Sequence, residues 1–392
     1  MGEATIIASA RTAIGTARKG SLTQVTAYDL GKWAIEEAQR RSGIPSKDVE
    51  DLILGESLQG GGDIARHSAV ELGLTNIPGV AMNRHCASGL TAVQTAAASI
   101  RAGMDKVVIA GGTESISTFP MLTKQLPGQD APQMWMPPSH PETPEAPAFD
   151  MSITVGWNAA KIADVSREAM DEWAFHSHQR AAAASSEGRF RDEIFPIQIP
   201  DGQGSTKTFE VDEHPRPGTT LEKLASLKPL HPEIEGFSIT AGNSSGINDG
   251  AAALVLVDEE YARAHGLDGK ATVKSWASVG VEPTRTGLAP TLAIPKALER
   301  AGMSMGDVDL FEINEAFCSM AVATTRTLGI DHDKVNVSGS GCGLGHPIAC
   351  TGARMVVTMV HELGRRGGGV GVVSMCAGGG MGSAAVLEVQ PA

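Results

Sequence analysis

The chain has few aromatic residues and no excess of positive charge. Aromatic side chains make up 4% of its 392 residues, and 32 Lys and Arg stand against 45 Asp and Glu, which gives a net charge of −13. Nucleic-acid-binding proteins show a basic footprint and often carry aromatic platforms on which bases stack. The composition therefore argues against a nucleic-acid partner.

Long apolar runs and paired cysteines are also missing. Without 18 consecutive apolar residues, no membrane-spanning helix is predicted. The five cysteines are odd in number and show no C-x-x-C spacing, which argues against a disulfide framework and against a metal site. We expect reduced thiols and a cytoplasmic location, since neither end shows a signal-peptide pattern or a peroxisomal address.

Short β-branched runs alternate with small-residue helical stretches, which predicts an α/β fold with mainly parallel sheets. Strands are predicted at 107–110, 251–257, 310–313, 335–337 and 370–375. Helices are predicted at 27–42, 88–102, 291–301 and 347–363. Eight prolines at 120–147 predict an extended surface excursion, and an amphipathic helix is expected at 166–187. We interpret 119–248 as a loop domain inserted into the α/β body, where it can contribute substrate contacts.

The parts that flank this insertion resemble each other. Asp48-Val-Glu-Asp-Leu-Ile-Leu-Gly-Glu56 is similar to Asp307-Val-Asp-Leu-Phe-Glu-Ile-Asn-Glu315, and each is followed by a polar, glycine-containing turn that opens a helix. One turn holds Cys86 and the other holds His346, so a duplicated fold would bring these two residues together. The predicted halves are 1–118 plus 249–270, and 271–392.

Cys86 lies in Asn83-Arg-His-Cys86-Ala-Ser-Gly-Leu90, at the start of a predicted helix. Free N–H groups and the helix dipole stabilise a thiolate at such a position, which makes Cys86 a candidate nucleophile. The alternative is a small buried cysteine. Polar neighbours and the absence of acidic residues between Glu71 and Asp105 favour the reactive role.

His346 lies in Gly339-Ser-Gly-Cys-Gly-Leu-Gly-His346-Pro347, and Pro347 suits the first position of a helix. A histidine in this place can accept the proton of Cys86, although a capping or core role is the alternative. His85 is a second candidate base, disfavoured because adjacent residues of an extended segment point apart.

Two further motifs follow predicted strands. Cys376 opens Cys376-Ala-Gly-Gly-Gly-Met-Gly382, whose backbone N–H groups suit an oxyanion hole; a glycine hinge for close packing is the alternative. Asn314-Glu-Ala-Phe317 follows the strand at 310–313, where α/β proteins place functional residues; a helix cap is the alternative. The remaining cysteines, interpreted as structural, are Cys318, Cys342 and Cys350.

Two rival motifs lack the context that they need. Gly60-Gly-Gly62-Asp-Ile-Ala65 fits a loose dinucleotide fingerprint, but no acidic residue follows at the distance required for the ribose. Gly242-Asn-Ser244-Ser-Gly246 fits the nucleophile elbow of serine hydrolases, but a predicted strand follows where a helix is required.

Nearly end to end, the sequence resembles the thiolase family. The motifs that carry the resemblance are Asn83-Arg-His-Cys86-Ala-Ser-Gly-Leu90, Ala241-Gly-Asn-Ser-Ser-Gly-Ile-Asn-Asp-Gly-Ala251, Asn314-Glu-Ala-Phe317, Gly343-Leu-Gly-His-Pro347 and Cys376-Ala-Gly-Gly-Gly-Met-Gly382. The resemblance implies the thiolase fold, with duplicated α-β-α-β-α layered halves and an inserted loop domain, in a homodimer or homotetramer. It implies an acyltransferase that cleaves 3-ketoacyl-CoA with coenzyme A, or condenses two acetyl-CoA, as in fatty-acid or steroid degradation. Acyl-CoA and coenzyme A are the expected partners, with no tightly bound cofactor.

The same resemblance assigns the site residues. Cys86 would be the acylated nucleophile, His346 its activating base, and Cys376 the group that moves a proton at the substrate α-carbon. Asn314 would hold a water in a first oxyanion hole, and the N–H groups of Cys86 and Gly378 would form a second. The residues implied in coenzyme A binding are Ser245 at the pantetheine arm, Arg216 at the adenine-diphosphate end, and Phe317.

One departure concerns the substrate. Family members that act on acetoacetyl-CoA usually carry Met-Gly where Ser152-Ile153 stands in this chain. We therefore expect the site to admit longer or bulkier 3-ketoacyl groups.

Two other functions compete with the thiolase hypothesis. A decarboxylating ketoacyl synthase-like enzyme shares the fold but would have histidine in place of Asn314 and would lack Cys376. A non-catalytic acyl-CoA-binding scaffold is disfavoured because Cys86, His346 and Cys376 are all present.

Overall fold

A ten-stranded mixed sheet forms the body of the protein, for which the computed structural model describes residues 2–392. The strands, including those of two small hairpins, are β1 (Ala4–Arg11), β2 (Gly15–Thr16), β3 (Asp51–Gly55), β4 (Val80–Met82), β5 (Val107–Ser115), β6 (Thr123–Lys124), β7 (Gln133–Met134), β8 (Ile197–Pro200), β9 (Thr206–Phe209), β10 (Asn248–Asp258), β11 (Ala271–Gly280), β12 (Leu310–Ile313), β13 (Gly369–Ala377) and β14 (Met381–Val389). The α-helices are α1 (Ala27–Ser42), α2 (Ile64–Glu71), α3 (Ser88–Arg101), α4 (Asn158–Ile162), α5 (Arg167–Ser186), α6 (Leu221–Ala225), α7 (Glu259–His265), α8 (Pro290–Ala301), α9 (Cys318–Leu328), α10 (Gly341–Leu344) and α11 (Thr351–Arg365). A π-helical turn covers Ser152–Trp157.

The strand order repeats between the two halves of the chain. The path β1-β10-β5-β3-β4 has two antiparallel pairings followed by two parallel ones. The path β11-β14-β13-β12 has the same directions and continues as a parallel bridge from Phe311 to Val335. The halves join where β1 pairs with β11. This repetition supports the predicted duplication, whereas the prediction of mainly parallel sheets is wrong, because β10 and β14 each run back between two strands of the opposite direction.

Two central helices, one from each half, lie in close contact at their N-terminal ends. A Cβ atom added to Gly89 on α3 would lie 2.6 Å from the carbonyl oxygen of Ala349, and one added to Gly352 on α11 would lie 2.4 Å from the backbone nitrogen of Leu90. Only glycine permits backbones to approach so closely. The segments that precede the two helices, with Cys86 and His346, are thereby held next to each other.

Several predicted elements are confirmed and two are corrected. The strand predicted at 335–337 is reduced to one bridge because Asn336 has a φ of 49°. Its side-chain amide replaces the strand, accepting from the N–H of Ile313 and donating to its carbonyl oxygen, both at 2.8 Å. Pro347 does not open α11, which begins at Thr351, because His346 is extended against Ile247 and a turn follows.

The proline-rich segment is irregular apart from the β6–β7 hairpin, as predicted, and α5 follows with Ser166 as its N-cap. Within residues 2–392, no helix combines the length and the apolar character needed to cross a bilayer.

Candidate active site

Two thiols and a glycine turn meet at the centre of the molecule. The backbone N–H of Gly378 lies near the sulfur of Cys86 and lowers the pKa of that thiol. The sulfur of Cys376 lies close enough for a charge on Cys86 to raise its pKa. Gly378 belongs to the turn between β13 and β14, where Gly379 and Gly380 have φ of 85° and 80°. The predicted nucleophile, the predicted acid and the predicted oxyanion donor are therefore brought together.

Desolvation dominates the protonation of both thiols, although Cys86 is half-buried and Cys376 fully buried. It raises the pKa of Cys86 to about 11, and the carboxylate of Glu114 adds to this, against the opposing N–H groups of Gly378 and of Cys86 itself. Desolvation thus opposes the thiolate that is expected at a helix start. The helix dipole acts over about one turn, and desolvation of a buried thiolate exceeds that contribution. Burial likewise raises the pKa of Cys376.

His346 is buried as a neutral imidazole with a defined tautomer. Its Nδ1 lies 2.6 Å from Oγ1 of Thr351, and that hydroxyl donates to the carbonyl oxygen of Pro347 at 2.8 Å. Because the hydroxyl proton is used in this way, Nδ1 carries the proton and Nε2 remains an acceptor. Burial, with a smaller contribution from Arg354, lowers the pKa of His346 to about 3.

Asn314 contacts His346 through its side-chain nitrogen, while its side-chain oxygen is a buried acceptor without a donor within residues 2–392. Its Nδ2 lies 3.4 Å from Nε2 of His346, and the residue has no exposed surface. Its Oδ1 has no hydrogen-bond partner among the described residues. Since buried amide oxygens almost always have a donor, this oxygen fits a water or a ligand group beside the histidine. A Cβ at position 341 would lie 2.5 Å from Oδ1, so the glycine there keeps the space open.

Glu315 was not predicted as a site residue, yet hydrogen bonds to its carboxylate hold the motif that contains Asn314 in place. It is fully buried. Its donors are Nε1 of Trp173, Oγ of Ser177, Nδ2 of Asn336 and the backbone N–H of Cys342. The acidic residue directly after a strand was the only sequence signal, because all four donors come from distant parts of the chain.

The residues predicted to bind coenzyme A and the cysteines interpreted as structural differ in how far they are exposed. The backbone N–H of Ser245 donates to the carbonyl oxygen of Ala316 at 2.9 Å, and Phe317 packs beside Cys376. Arg216 is exposed, and its backbone N–H donates to Nδ1 of His178 at 3.3 Å. The three cysteines interpreted as structural, Cys318, Cys342 and Cys350, are buried.

Family models decide the relationship of this chain to known proteins. The thiolase N-terminal domain matches residues 4–260, and the thiolase C-terminal domain matches residues 267–389. The chain belongs to the thiolase family. The predicted family is confirmed, and with it the enzyme class, an acyltransferase.

Individual relatives and solved structures agree with this assignment. This thiolase is 41% identical to a 3-ketoacyl-CoA thiolase of Bacillus subtilis, covering 99% of this chain and 100% of the relative. It is 40% identical to an acetyl-CoA acetyltransferase of Pseudomonas aeruginosa, covering 99% of each chain. The crystal structure of the Bacillus anthracis acetyl-CoA acetyltransferase matches with a TM-score of 0.90 at 38% identity, over 100% of this chain and 99% of that one. Human mitochondrial 3-ketoacyl-CoA thiolase gives 0.90 at 34% identity, over 99% of each chain. The predicted fold is confirmed.

The resting thiolase is expected to hold Cys86 and His346 as a neutral pair, since burial raises one pKa and lowers the other. Thiolate absorbance at 240 nm, measured as the difference between the wild type and Cys86→Ser, should stay near zero from about pH 6 to pH 9 and rise only above about pH 10. A titration step centred below about pH 8 would instead show a thiolate–imidazolium pair.

Proposed function

We propose that this thiolase catalyses the reversible CoA-dependent cleavage of 3-ketoacyl-CoA to acetyl-CoA and a shortened acyl-CoA, through an acyl group on Cys86. The reverse reaction is the Claisen condensation of two acetyl-CoA. The observation that carries the proposal is the proximity of the Cys86 and Cys376 thiols beside the N–H of Gly378. Cleaving a carbon–carbon bond next to a thioester needs a nucleophile, a proton donor for the departing enolate, and donors for the oxyanions.

Cys86, His346 and Cys376 each carry out a different step of the proposed reaction. Nε2 of His346 takes the proton of Cys86 while the sulfur attacks the 3-keto carbon. The bond between the α-carbon and the keto carbon breaks, and the sulfhydryl of Cys376 gives its proton to the enolate carbon. The thiol of free coenzyme A then gives its proton to Cys376 and its sulfur attacks the acyl group; the bond between that group and Cys86 breaks, and the sulfur of Cys86 takes its proton back from His346. Holding the two thiols in different surroundings lets them serve as nucleophile and acid at one pH.

Two oxyanion holes complete the proposed site. A water held by Asn314 and the protonated Nε2 of His346 would form the first, a role supported by the unpaired Oδ1 beside the histidine. The backbone N–H groups of Cys86 and Gly378 would form the second.

Coenzyme A would enter over the exposed side of the inserted segment. We propose that 119–248 is the loop domain that covers the site, between the halves 1–118 plus 249–270 and 271–392. Ser245 would contact the pantetheine arm, since its N–H donates to the carbonyl oxygen of Ala316, within the motif of Asn314 and Phe317. Arg216 would contact the adenine-diphosphate end, because its side chain is exposed and cationic.

The proposed assembly is a homodimer or a homotetramer. β4 lies at the edge of the sheet, where an unpaired strand can recruit another chain, and Val80 on it is 41% exposed. A reducing, cytoplasmic compartment suits the proposed chemistry, because the two catalytic thiols must stay free.

An acyl specificity beyond four carbons is proposed from the sequence departure at Ser152-Ile153. An apolar groove of about 620 Å³ also lies on this side of the molecule, but Cys86, His346 and Cys376 do not line it. Its apolar lining includes Phe119, Trp135 and Phe149, and Asn83, three residues before Cys86, opens onto it. Ser152–Trp157 forms a π-helical turn at the position of the sequence departure, and such turns are frequent at functional sites.

Thiolysis kinetics over a series of 3-ketoacyl-CoA substrates test the proposed function. We expect kcat/KM to rise by about tenfold or more from acetoacetyl-CoA to longer or cyclic substrates, because each methylene buried in an apolar groove contributes about 0.8 kcal/mol. A strict optimum at four carbons would contradict the specificity. Lack of thiolysis on every member would contradict the function itself.

A further inference from the structure

Cys376 makes an unusual contact with a methionine that no motif singles out. Its sulfhydryl donates to the thioether sulfur of Met320, with 3.4 Å between Sγ and Sδ. Among the hydrogen bonds within residues 2–392, this is the only one that the sulfhydryl donates. Met320 has no exposed surface, so water does not compete for the contact.

The backbone around Met320 holds its side chain in place. Met320 lies in the first turn of α9, directly after the motif of Asn314, and its N–H donates to the carbonyl oxygen of Phe317 at 3.2 Å. Its own carbonyl oxygen accepts from Oγ1 of Thr324 at 2.7 Å. Val155 and Ala159 pack against Met320 and Cys376 in one small apolar cluster. The thioether therefore has a fixed position relative to the sulfur of Cys376.

We propose that Met320 is a positioning residue for the proton transfer at the substrate α-carbon, a role that rests on the proposed function. A thioether sulfur accepts a hydrogen bond but cannot donate one, so it holds the sulfur of protonated Cys376 in one rotamer, from which the S–H can turn to the enolate carbon. The protonated form is the one needed in cleavage, where the S–H bond breaks, a C–H bond forms on the enolate carbon and Cys376 becomes a thiolate. The thiol proton of free coenzyme A then restores it.

The geometry separates this role from general packing. Leucine has about the volume of methionine and would fill the same cluster, but it offers no acceptor to the sulfhydryl. Acylation of Cys86 by acetyl-CoA expels a thiolate, which can leave without a proton from Cys376, whereas the enolate carbon must receive one. Loss of the sulfur contact should therefore affect acylation little. A residue that only supported the fold would affect both steps together.

Met320→Leu, Met320→Gln and Met375→Leu test the proposal, all checked for folding by circular dichroism. Met375 is the matched control because it precedes Cys376 on β13, is equally buried and packs in a different cluster. The readouts are kcat for thiolysis of the best substrate of the series above, and the rate at which radiolabelled acetyl-CoA acylates Cys86. We expect M320L to lower kcat by about tenfold while KM and the acylation rate stay within about twofold. M320Q keeps an acceptor and should stay within about threefold of the wild type, and M375L within about twofold.

The outcomes separate this proposal from the proposed function. Wild-type thiolysis with no selective loss in M320L would overturn the role of Met320 alone, and so would an equal loss of thiolysis and acylation. If M320L does not fold, M320Q decides, since a selective tenfold loss despite its acceptor would also overturn the role. Absence of thiolysis in the wild type would overturn the proposed function and this proposal with it.

Discussion

Cys86→Ser is expected to lower thiolysis by at least about 10³-fold and to abolish acylation of the protein by acetyl-CoA. A serine hydroxyl is a far weaker nucleophile than a thiol and a far weaker acid, so His346 removes its proton much less readily. Coenzyme A binding should change by less than about threefold, because the substitution removes no contact to the nucleotide.

The measurements for this variant are steady-state thiolysis, radiolabel incorporation and calorimetric titration with coenzyme A. Cys342→Ser is the matched control. Cys342 is a buried thiol, and its sulfhydryl donates to the carbonyl oxygen of Gly242 at 3.6 Å, a bond that a serine hydroxyl can make. Retention of substantial thiolysis by C86S would remove Cys86 from the role of nucleophile.

Cys376→Ser is expected to separate the two stages of the reaction. Carbon–carbon cleavage should fall by about 10²- to 10³-fold, because a hydroxyl is a much weaker acid than a thiol and sits on a shorter bond. Acylation of Cys86 by acetyl-CoA should continue within about threefold of the wild-type rate. The hydrogen bond to Met320 would weaken as well, since the oxygen lies farther from the thioether than the sulfur does.

Exchange of the α-protons of acetyl-CoA with deuterated solvent provides the direct test of Cys376. Mass spectrometry should show exchange in the wild type and in C342S, and loss of exchange in C376S. Loss of acylation in C376S together with retained exchange would mean that the roles of the two cysteines have been assigned in the wrong order.

Local signals predict the regular elements well. α1 has the predicted bounds of 27–42 because Thr26 and Asp29 form a capping box and Gly43 ends the helix at a φ of 67°. β12 also has its predicted bounds, since four apolar or buried residues lie between polar turns. These boundaries depend on residues adjacent in the chain, so they can be predicted from the sequence.

Features that depend on distant residues were not predictable in the same way. Asn336 replaces a strand by turning its side chain onto Ile313, and only the fold shows that the two meet. The motifs identify Cys86, but not the depth of burial that raises its pKa to about 11. Met320 has no sequence signal, because its contact with Cys376 joins residues 56 positions apart.

The close contact of α3 at Gly89 with α11 at Gly352 carries an evolutionary consequence. A half-length ancestor would have had to associate with a second molecule of itself to bury the same helix face, and we infer that the present chain arose by tandem fusion of such a pair. Fusion would free the two copies to diverge, so that the segment before one helix carries Cys86 and the segment before the other carries His346.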